Sequence, residues 1–297
     1  MRQDRYGGGG WHKYSSEDIE LLPMGNPLEE MGLLREEQAV TLFNRRDYAA
    51  AALVFGDILD KVIGVARVHY YRGLLLLAEG YGAWDAADYE TALKRVREGR
   101  KELSVNFMDP ALADRAAALV NRAATNLSFL GKVRGRGREG PPSLENVVDM
   151  VENARRRIMD QERYDDGVAR LYRAVEMWHQ WRLMSLYSIE TKEVKWVRMD
   201  EGVQERFLEL VELEKLPEDL GLRHARLLDH LLSGKDPEEE DATLRGLLSA
   251  RNSSILAHGL NPISHRTAEK FLEYLDTLVT VPEDLRSGAR HADLLAL

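Results

Sequence analysis

Apolar residues recur at roughly every third or fourth position along most of the chain after Pro27, the spacing of one face of an α-helix. Residues 44–47 interrupt the first of these stretches, 33–62, and predict a turn between two helices. After this break the chain reads DYAAA from Asp47, and after a second apolar helix it reads DYETA from Asp88. The two strings predict similar helical hairpins of tetratricopeptide-like character, without the constant period of a solenoid.

The same spacing predicts the remaining helices, which leaves an all-α protein with room for one short β-hairpin. That hairpin, or a single extended strand, is predicted at 190–199, where apolar and polar residues alternate briefly. Ser143 is predicted to cap the helix that follows it. The predicted helices cover 65–84, 110–130, 144–161, 165–187, 201–214, 221–232, 237–258 and 264–278.

Two glycine-rich segments divide the chain. Residues 1–26 contain four consecutive glycines, which predict a linker or the remnant of a missing domain, although an engineered linker has the same composition. Residues 134–140, which are basic and rich in glycine, predict a second linker. The predicted folded parts are a helical-hairpin domain at 27–133 and a second helical domain at 141–297.

The composition restricts the class of protein. Of the 297 residues, 44% are hydrophobic and 31% are charged, which is typical of a globular protein. The absence of cysteine excludes disulfides and cysteine-ligated zinc and favours a reducing compartment. No apolar run is long enough to cross a bilayer, so we expect a cytoplasmic protein without a membrane partner. The net charge of −9 argues against coating of DNA or other long nucleic acids, but it permits an enzyme that binds a few phosphates.

Signatures of metal and nucleotide chemistry are not found in the sequence. It contains no GxxxxGK[ST] loop, no GxSxG elbow and no HExxH helix. His224 and His230 are six residues apart, which places them out of phase on a helix and disfavours a shared metal. No metal and no cofactor are therefore expected.

Arg251 and His258 form the strongest candidate site. They are seven residues apart, so on the predicted helix 237–258 they would lie on one face. A histidine titrates near neutral pH and can both accept and donate a proton. An arginine beside it suits cleavage of RNA by its own 2′-hydroxyl, which requires proton transfer and a cation at the phosphate.

The spacing of this pair is weak evidence by itself, because a loose Arg–His pattern occurs five times. A histidine that caps a helix end, with an arginine in a surface ion pair, explains the same residues. The other four pairs are Arg5/His12, Arg173/His179, Arg223/His230 and Arg286/His291.

The wording of the segment is more specific than its spacing. The string RNSSILAHG at 251–259, with Asn252 directly after the arginine, resembles the motif of HEPN ribonucleases of type III CRISPR systems. The strings NPLEEMG, FNRRDYAAA, EGYGAWDAADYETAL and RYDDGVARLYRAVEMWHQWRL resemble the helical portion of Csm/Csx-type CRISPR-associated proteins. The resemblance covers nearly everything after residue 26, in the order expected of the family.

The resemblance implies a metal-independent endoribonuclease that cleaves single-stranded RNA in antiviral defence. Arg251 would hold the scissile phosphate, His258 would transfer protons, and Asn252 would orient one of them or the RNA. The products would carry a 2′,3′-cyclic phosphate and a 5′-hydroxyl. Members of the family are similar in forming homodimers, in which the motifs of both chains line one cleft.

The helix RLYRAVEMW supplies supporting candidates. Arg170, Arg173 and Glu176 are spaced along roughly one face of this helix, which the resemblance places beside the catalytic segment. Glu176 would hold an arginine there. An ordinary ion pair on the protein surface is the alternative interpretation of these three residues.

The chain departs from the family pattern at its N-terminus. Such proteins usually begin with a CARF domain that binds a cyclic oligoadenylate activator, and 26 residues are too few for such a domain. We therefore expect this sensor domain to be missing. A non-catalytic helical scaffold that binds RNA or protein is the rival hypothesis, and an antitoxin or nucleotide-binding role is a third.

Overall fold

The computed structural model describes residues 27–134, 140–235, 241–256 and 259–295, with 27–33 described by their backbone alone. These residues form helices joined by turns, and an isolated bridge between Ser254 and Asn261 is the sole β-type pairing among them. The all-α prediction is confirmed. The helices are α1 (Pro27–Asn44), α2 (Tyr48–Leu59), α3 (Val65–Asp85), α4 (Tyr89–Leu103), α5 (Pro110–Arg134), α6 (Leu144–Arg155), α7 (Tyr164–Tyr187), α8 (Glu201–Val211), α9 (Leu222–Leu232), α10 (Ala242–Asn252), α11 (His265–Leu278) and α12 (Glu283–Ala289).

The two DYxxA strings form the same turn. Asp47 and Asp88 each cap the helix that follows, where the carboxylate accepts a hydrogen bond from the backbone N–H three residues later. In each turn a residue with positive φ comes directly before the aspartate, Arg46 at 62° and Ala87 at 60°. The prediction of two similar hairpins, α1–α2 and α3–α4, is therefore confirmed.

Small residues allow α3 and α4 to approach closely. A Cβ at Gly80 would lie 2.7 Å from Cγ2 of Val96. A Cβ at Gly73 would lie 2.5 Å from Cγ of Leu103. No side chain larger than hydrogen fits at either position without moving α4.

The first hydrophobic core lies among α1–α5 and includes a part of the chain that is far away in sequence. Ala289, the last residue of α12, is buried in this core, and so are Ala292 and Leu294, which come after the helix. The side chain of Asn44 bonds to both the carbonyl and the N–H of Leu294, at 2.8 Å each. The end of the chain therefore packs against the helical-hairpin domain, although its sequence position predicts that it belongs to the second domain.

The second core joins α6, α7, α10 and α11, and a smaller third core joins the end of α7 to α8 and α9. The predicted hairpin at 190–199 is wrong, because this segment contains a 3₁₀ turn at Trp196–Arg198. Its backbone bonds instead with the segment before α9. The N–H of Val194 donates to the carbonyl of Glu218, and the N–H of Leu220 donates to that of Thr191.

The predicted helix 144–161 consists of two kinds of helix. Ser143 caps α6 as predicted, within a reciprocal capping box with Asn146. The last residues, Arg156–Asp160, form a π-helix, which places Arg156 and Arg157 beside Asp85 of α3. The predicted segment 1–26 and most of the predicted linker at 134–140 lie outside the described residues. No helix in the described part of the chain is long and apolar enough to cross a membrane.

Candidate functional site

Helix α10 carries Arg251 in its last turn. Asp241 caps the start of the helix by accepting a hydrogen bond from the backbone N–H of Leu244 at 2.9 Å. Leu244 and Leu247 are buried in the second core, and they hold one face of α10 against α7 and α11. Arg251 lies beyond these anchors, partly exposed at the end of the helix.

The helix ends earlier than the sequence predicted. The expected helix covers 237–258, but α10 ends at Asn252. Ser253 follows the helix, and its hydroxyl donates to the carbonyls of Ser249 and Ala250 at 3.0 and 3.1 Å. A hydroxyl that bonds to the last carbonyls competes with continuation of the helix. The prediction that this helix continues to residue 258 is therefore wrong, and His258 itself lies outside the described residues.

The chain after Arg251 forms a closed loop. Ser254 is buried, and its carbonyl accepts a hydrogen bond from the N–H of Gly259 at 3.1 Å. The N–H of Asn261 donates to the carbonyl of Ser253 at 3.2 Å. A Cβ at Gly259 would overlap with that Ser253 carbonyl, so the closure requires glycine at this position. The residue that follows His258 in sequence is thus held against the segment that follows Arg251.

Arg251 is oriented by an aromatic ring and an amide. Its Cζ lies 4.3 Å from the centroid of the Tyr172 ring, on α7. Its Nη1 donates to Oδ1 of Asn252 at 3.1 Å. In the described part of the chain no carboxylate forms an ion pair with Arg251. The guanidinium therefore keeps N–H donors that an anion such as a phosphate can accept.

Glu176 and Arg173, two of the supporting candidates, lie on α7 within one turn of Tyr172. Nη1 of Arg173 is 3.0 Å from Oε2 of Glu176. Burial, followed by the nearby charge of Glu176, raises the pKa of Tyr172. This exposed ion pair within one helix is the alternative interpretation of these residues, and the role of Glu176 beside the catalytic segment stays a prediction.

Tyr172 is a site residue that the sequence did not reveal. It follows the apolar spacing of α7 and partly packs against the second core, so its pattern is that of an ordinary core aromatic. Its cationic partner is on α10, far along the chain. Only the tertiary structure brings the two together.

Arg170, the third supporting candidate, is on another side of α7. It pairs with Asp166, which also pairs with Nε of Arg157 at 3.2 Å. Burial, followed by the nearby charge of Arg157, lowers the pKa of Arg170. The structure therefore places Arg170 with the π-helix and not with Arg251.

The histidines of two competing Arg–His pairs are buried and bonded within the fold. Nδ1 of His291 lies 2.7 Å from the hydroxyl of Tyr48, and its ring stacks on Tyr81 at 4.7 Å between centroids. Nδ1 of His179 lies 2.9 Å from Oδ2 of Asp229. Burial lowers the pKa of both histidines, most strongly that of His291. A polymeric substrate cannot reach either ring.

A polar cavity of about 440 Å³ lies where α1, α3 and the π-helix meet. Its buried charges neutralise one another: Arg46 pairs with Asp160 at 2.8 Å and Arg157 with Asp85 at 2.7 Å. This cavity therefore offers a ligand less unbalanced charge than Arg251 does. No group of three or more acidic or histidine side chains in the described part of the chain is arranged to hold a metal ion.

Comparison with known proteins identifies the class of these domains. Residues 141–281 match the Csm6 HEPN domain, and residues 31–126 match the Csm6 6H domain. The second part of the chain, which carries Arg251 and Tyr172, is therefore a HEPN domain.

The particular family follows from both matches together and from a longer relative. The chain is 27% identical, over 269 residues, to the CRISPR system endoribonuclease Csm6 of Thermus thermophilus. The alignment covers 86% of this chain and 55% of the relative, so the chain spans about half the length of that protein. Residues 31–126 and 141–281 of the chain thus both match domains of the Csm6 family of CRISPR HEPN proteins.

Proposed function

We propose that this protein is a metal-independent endoribonuclease that cleaves single-stranded RNA in type III CRISPR defence. The observation that carries the proposal is the environment of Arg251 at the end of α10. The guanidinium is partly exposed, is oriented by Tyr172 and Asn252, and has no acidic partner among the described residues. The name of the Thermus thermophilus relative, an endoribonuclease, supports the same activity.

The proposed reaction uses the substrate's own hydroxyl as nucleophile. The 2′-oxygen attacks the adjacent phosphorus, the bond to the 5′-oxygen breaks, and the products carry a 2′,3′-cyclic phosphate and a 5′-hydroxyl. Arg251 stabilises the negative charge that develops on the phosphate oxygens. Asn252 orients Arg251 through its bond to Nη1. His258 takes the proton from the attacking 2′-oxygen or gives one to the leaving 5′-oxygen, a role that histidine side chains often have in catalysis.

We propose that the active form is a homodimer whose two motifs line one cleft. Three apolar side chains that follow Arg251 within nine residues of the sequence are largely exposed: Ile255 at 57%, Leu256 at 55% and Leu260 at 89%. Apolar surface of this kind next to a polar site is typical of a contact with another protein. A two-fold axis at this patch would bring the same residues, and both Arg251 side chains, together.

The test is cleavage of a labelled single-stranded RNA in EDTA by the parent and by Arg251→Ala and His258→Ala. Arg223→Ala is a matched control, because Arg223 belongs to another of the Arg–His pairs and is exposed on α9. We expect the parent and Arg223→Ala to cleave equally. Both site variants are expected to lose at least about a hundred-fold in rate, the cost typical of removing one stabilising donor.

Two outcomes would overturn the proposal. Equal cleavage by the parent and both site variants would assign the activity to other residues or to a contaminant. Absence of cleavage by a folded, dimeric parent would favour the helical scaffold. Ile255→Glu tests the dimer separately, because a charge on this patch should produce a monomer in sedimentation experiments at concentrations at which the parent is dimeric.

A further inference from the structure

The ring of Tyr172 supports one face of the Arg251 guanidinium. The distance of 4.3 Å from Cζ to the ring centroid is well within the range in which a cation is attracted to an aromatic ring. A guanidinium that lies over a ring cannot turn freely about its last side-chain bonds. Its in-plane N–H groups remain available to an acceptor beyond the edge of the ring.

The ring is itself held in the fold, because Tyr172 is partly buried and packs against the second core. Glu176 lies one turn further along α7, near enough that burial and, after it, the charge of this carboxylate raise the pKa of Tyr172. The same carboxylate is 3.0 Å from Nη1 of Arg173. Glu176 is thus paired with Arg173 on α7, and among the described residues it forms no ion pair with Arg251. The cation is therefore held by a neutral surface and not by a carboxylate that would compete with phosphate.

We infer that Tyr172 is a positioning residue, which holds Arg251 in the orientation that binds the scissile phosphate. The inference rests on the proposed ribonuclease function. Positioning lowers the cost of arranging the site when substrate binds, so its loss reduces turnover more than it reduces binding of the RNA. The aromatic ring performs this role, and the hydroxyl is not required for it.

The experiment measures kcat and KM for cleavage of single-stranded RNA by Tyr172→Leu and Tyr172→Phe. Tyr187→Leu is the matched control, because Tyr187 is also a partly buried tyrosine of α7 and is the last residue of that helix. We expect Tyr172→Leu to lower kcat about ten-fold, the scale of a cation–π contact, with KM changed less than about three-fold. Tyr172→Phe should restore kcat to within about three-fold of the parent, and Tyr187→Leu should retain it.

Binding of RNA separates positioning from direct contact with a base. In an Arg251→Ala background, the dissociation constant for a 2′-O-methyl RNA is measured with and without Tyr172→Leu. A positioning residue has nothing left to position in this background, so the two constants should agree. Weaker binding after Tyr172→Leu would show that the ring stacks on a base and would overturn the inference.

The outcomes distinguish this inference from the proposed function. If Arg251→Ala abolishes cleavage while Tyr172→Leu retains the parent kcat, the inference fails and the ribonuclease proposal stands. Equal losses in Tyr172→Leu and Tyr172→Phe would assign the effect to the hydroxyl and also contradict the inference. If the parent does not cleave RNA, both fail together.

Discussion

The junction between the two domains and the end of α10 are built in opposite ways. At the junction, Trp84 is fully buried, its Nε1 donates to Oδ1 of Asp149 at 2.7 Å, and Tyr89 donates to the other oxygen at 2.8 Å. At the end of α10, Arg251 is partly exposed and is held by a ring and a neighbouring amide. The junction satisfies most of its charges internally, whereas the site keeps donors available.

This difference separates stability from function in the molecule. Burial makes an unpaired carboxylate costly, so Asp149 is surrounded by donors, and burial nevertheless raises its pKa. A site for a phosphate must instead leave a cation incompletely paired until the substrate arrives. The 6H domain and the end of the chain therefore provide a rigid support, and α10 presents the reactive group at its edge.

The largest expected effect on stability is at the junction. Trp84→Ala should lower the free energy of unfolding by about 3–5 kcal/mol, because it leaves a large cavity beside Phe129 and His291. It also removes one of the donors to Asp149. Urea unfolding measures the loss, and Leu53→Ala, at an exposed position of α2, should change stability by less than about 0.5 kcal/mol.

The activity of Trp84→Ala tests whether the junction also affects the site, and it is measured as RNA cleavage per folded molecule. If the junction only supports the fold, the folded fraction of Trp84→Ala should retain the parent turnover at low temperature. A large loss of turnover in fully folded Trp84→Ala would show that the junction also controls the site.

The next effect is on activity and not on stability. Gly259→Ala should lower the cleavage rate about a hundred-fold, because a Cβ there overlaps with the Ser253 carbonyl and opens the loop after Arg251. Gly246→Ala, in the middle of α10, is the control. No atom lies within 4 Å of a Cβ at Gly246, so this variant should be active and more stable by about 0.5–1 kcal/mol. Full activity of Gly259→Ala would show that cleavage does not require the closed loop.

The smallest effect is a pH dependence of stability at the junction. Burial, and then the charge of Arg156, holds the pKa of His291 well below its ordinary value, so the unfolded chain binds this proton first. Stability is therefore complete above about pH 6.5 and is lost as the pH falls below it. Between about pH 6.5 and 5.5 the parent should lose about 1 kcal/mol more than His291→Phe, which has no proton to bind.

Urea unfolding of both proteins at these two pH values measures the difference, and other titrating groups cancel in the comparison. An equal dependence of stability on pH in the parent and His291→Phe would mean that folding does not lower the pKa of His291.

The sequence predicted the helices and the hairpins well because these depend on local spacing and local caps. Arg251 was predicted as a site residue because the segment RNSSILAHG resembles the motif of HEPN ribonucleases. The prediction failed at the end of α10, where Ile255 and Leu256 continue an apolar pattern although they follow the helix and are exposed. The sequence pattern at Gly259 is that of a helix stop, whereas this glycine closes a loop. Local patterns do not contain this information, because the closure depends on contacts between Gly259 and Ser253.

Long-range contacts account for two of the remaining omissions, and local spacing accounts for the third. The burial of Leu294 in the first core and the position of Tyr172 under Arg251 both join segments that are distant in sequence. The π-helix at Arg156–Asp160 was also missed, because its residues fit the spacing of the α-helix before it.

The central claim is that Arg251 binds a phosphate that is attacked by the adjacent 2′-hydroxyl. The most direct test is mass spectrometry of the product ends after cleavage in EDTA, with one substrate carrying a single 2′-deoxy nucleotide at the cleaved position. We expect 2′,3′-cyclic phosphate and 5′-hydroxyl ends, and no cleavage at the 2′-deoxy position. Products with 3′-hydroxyl and 5′-phosphate ends, or cleavage at the 2′-deoxy position, would contradict this claim.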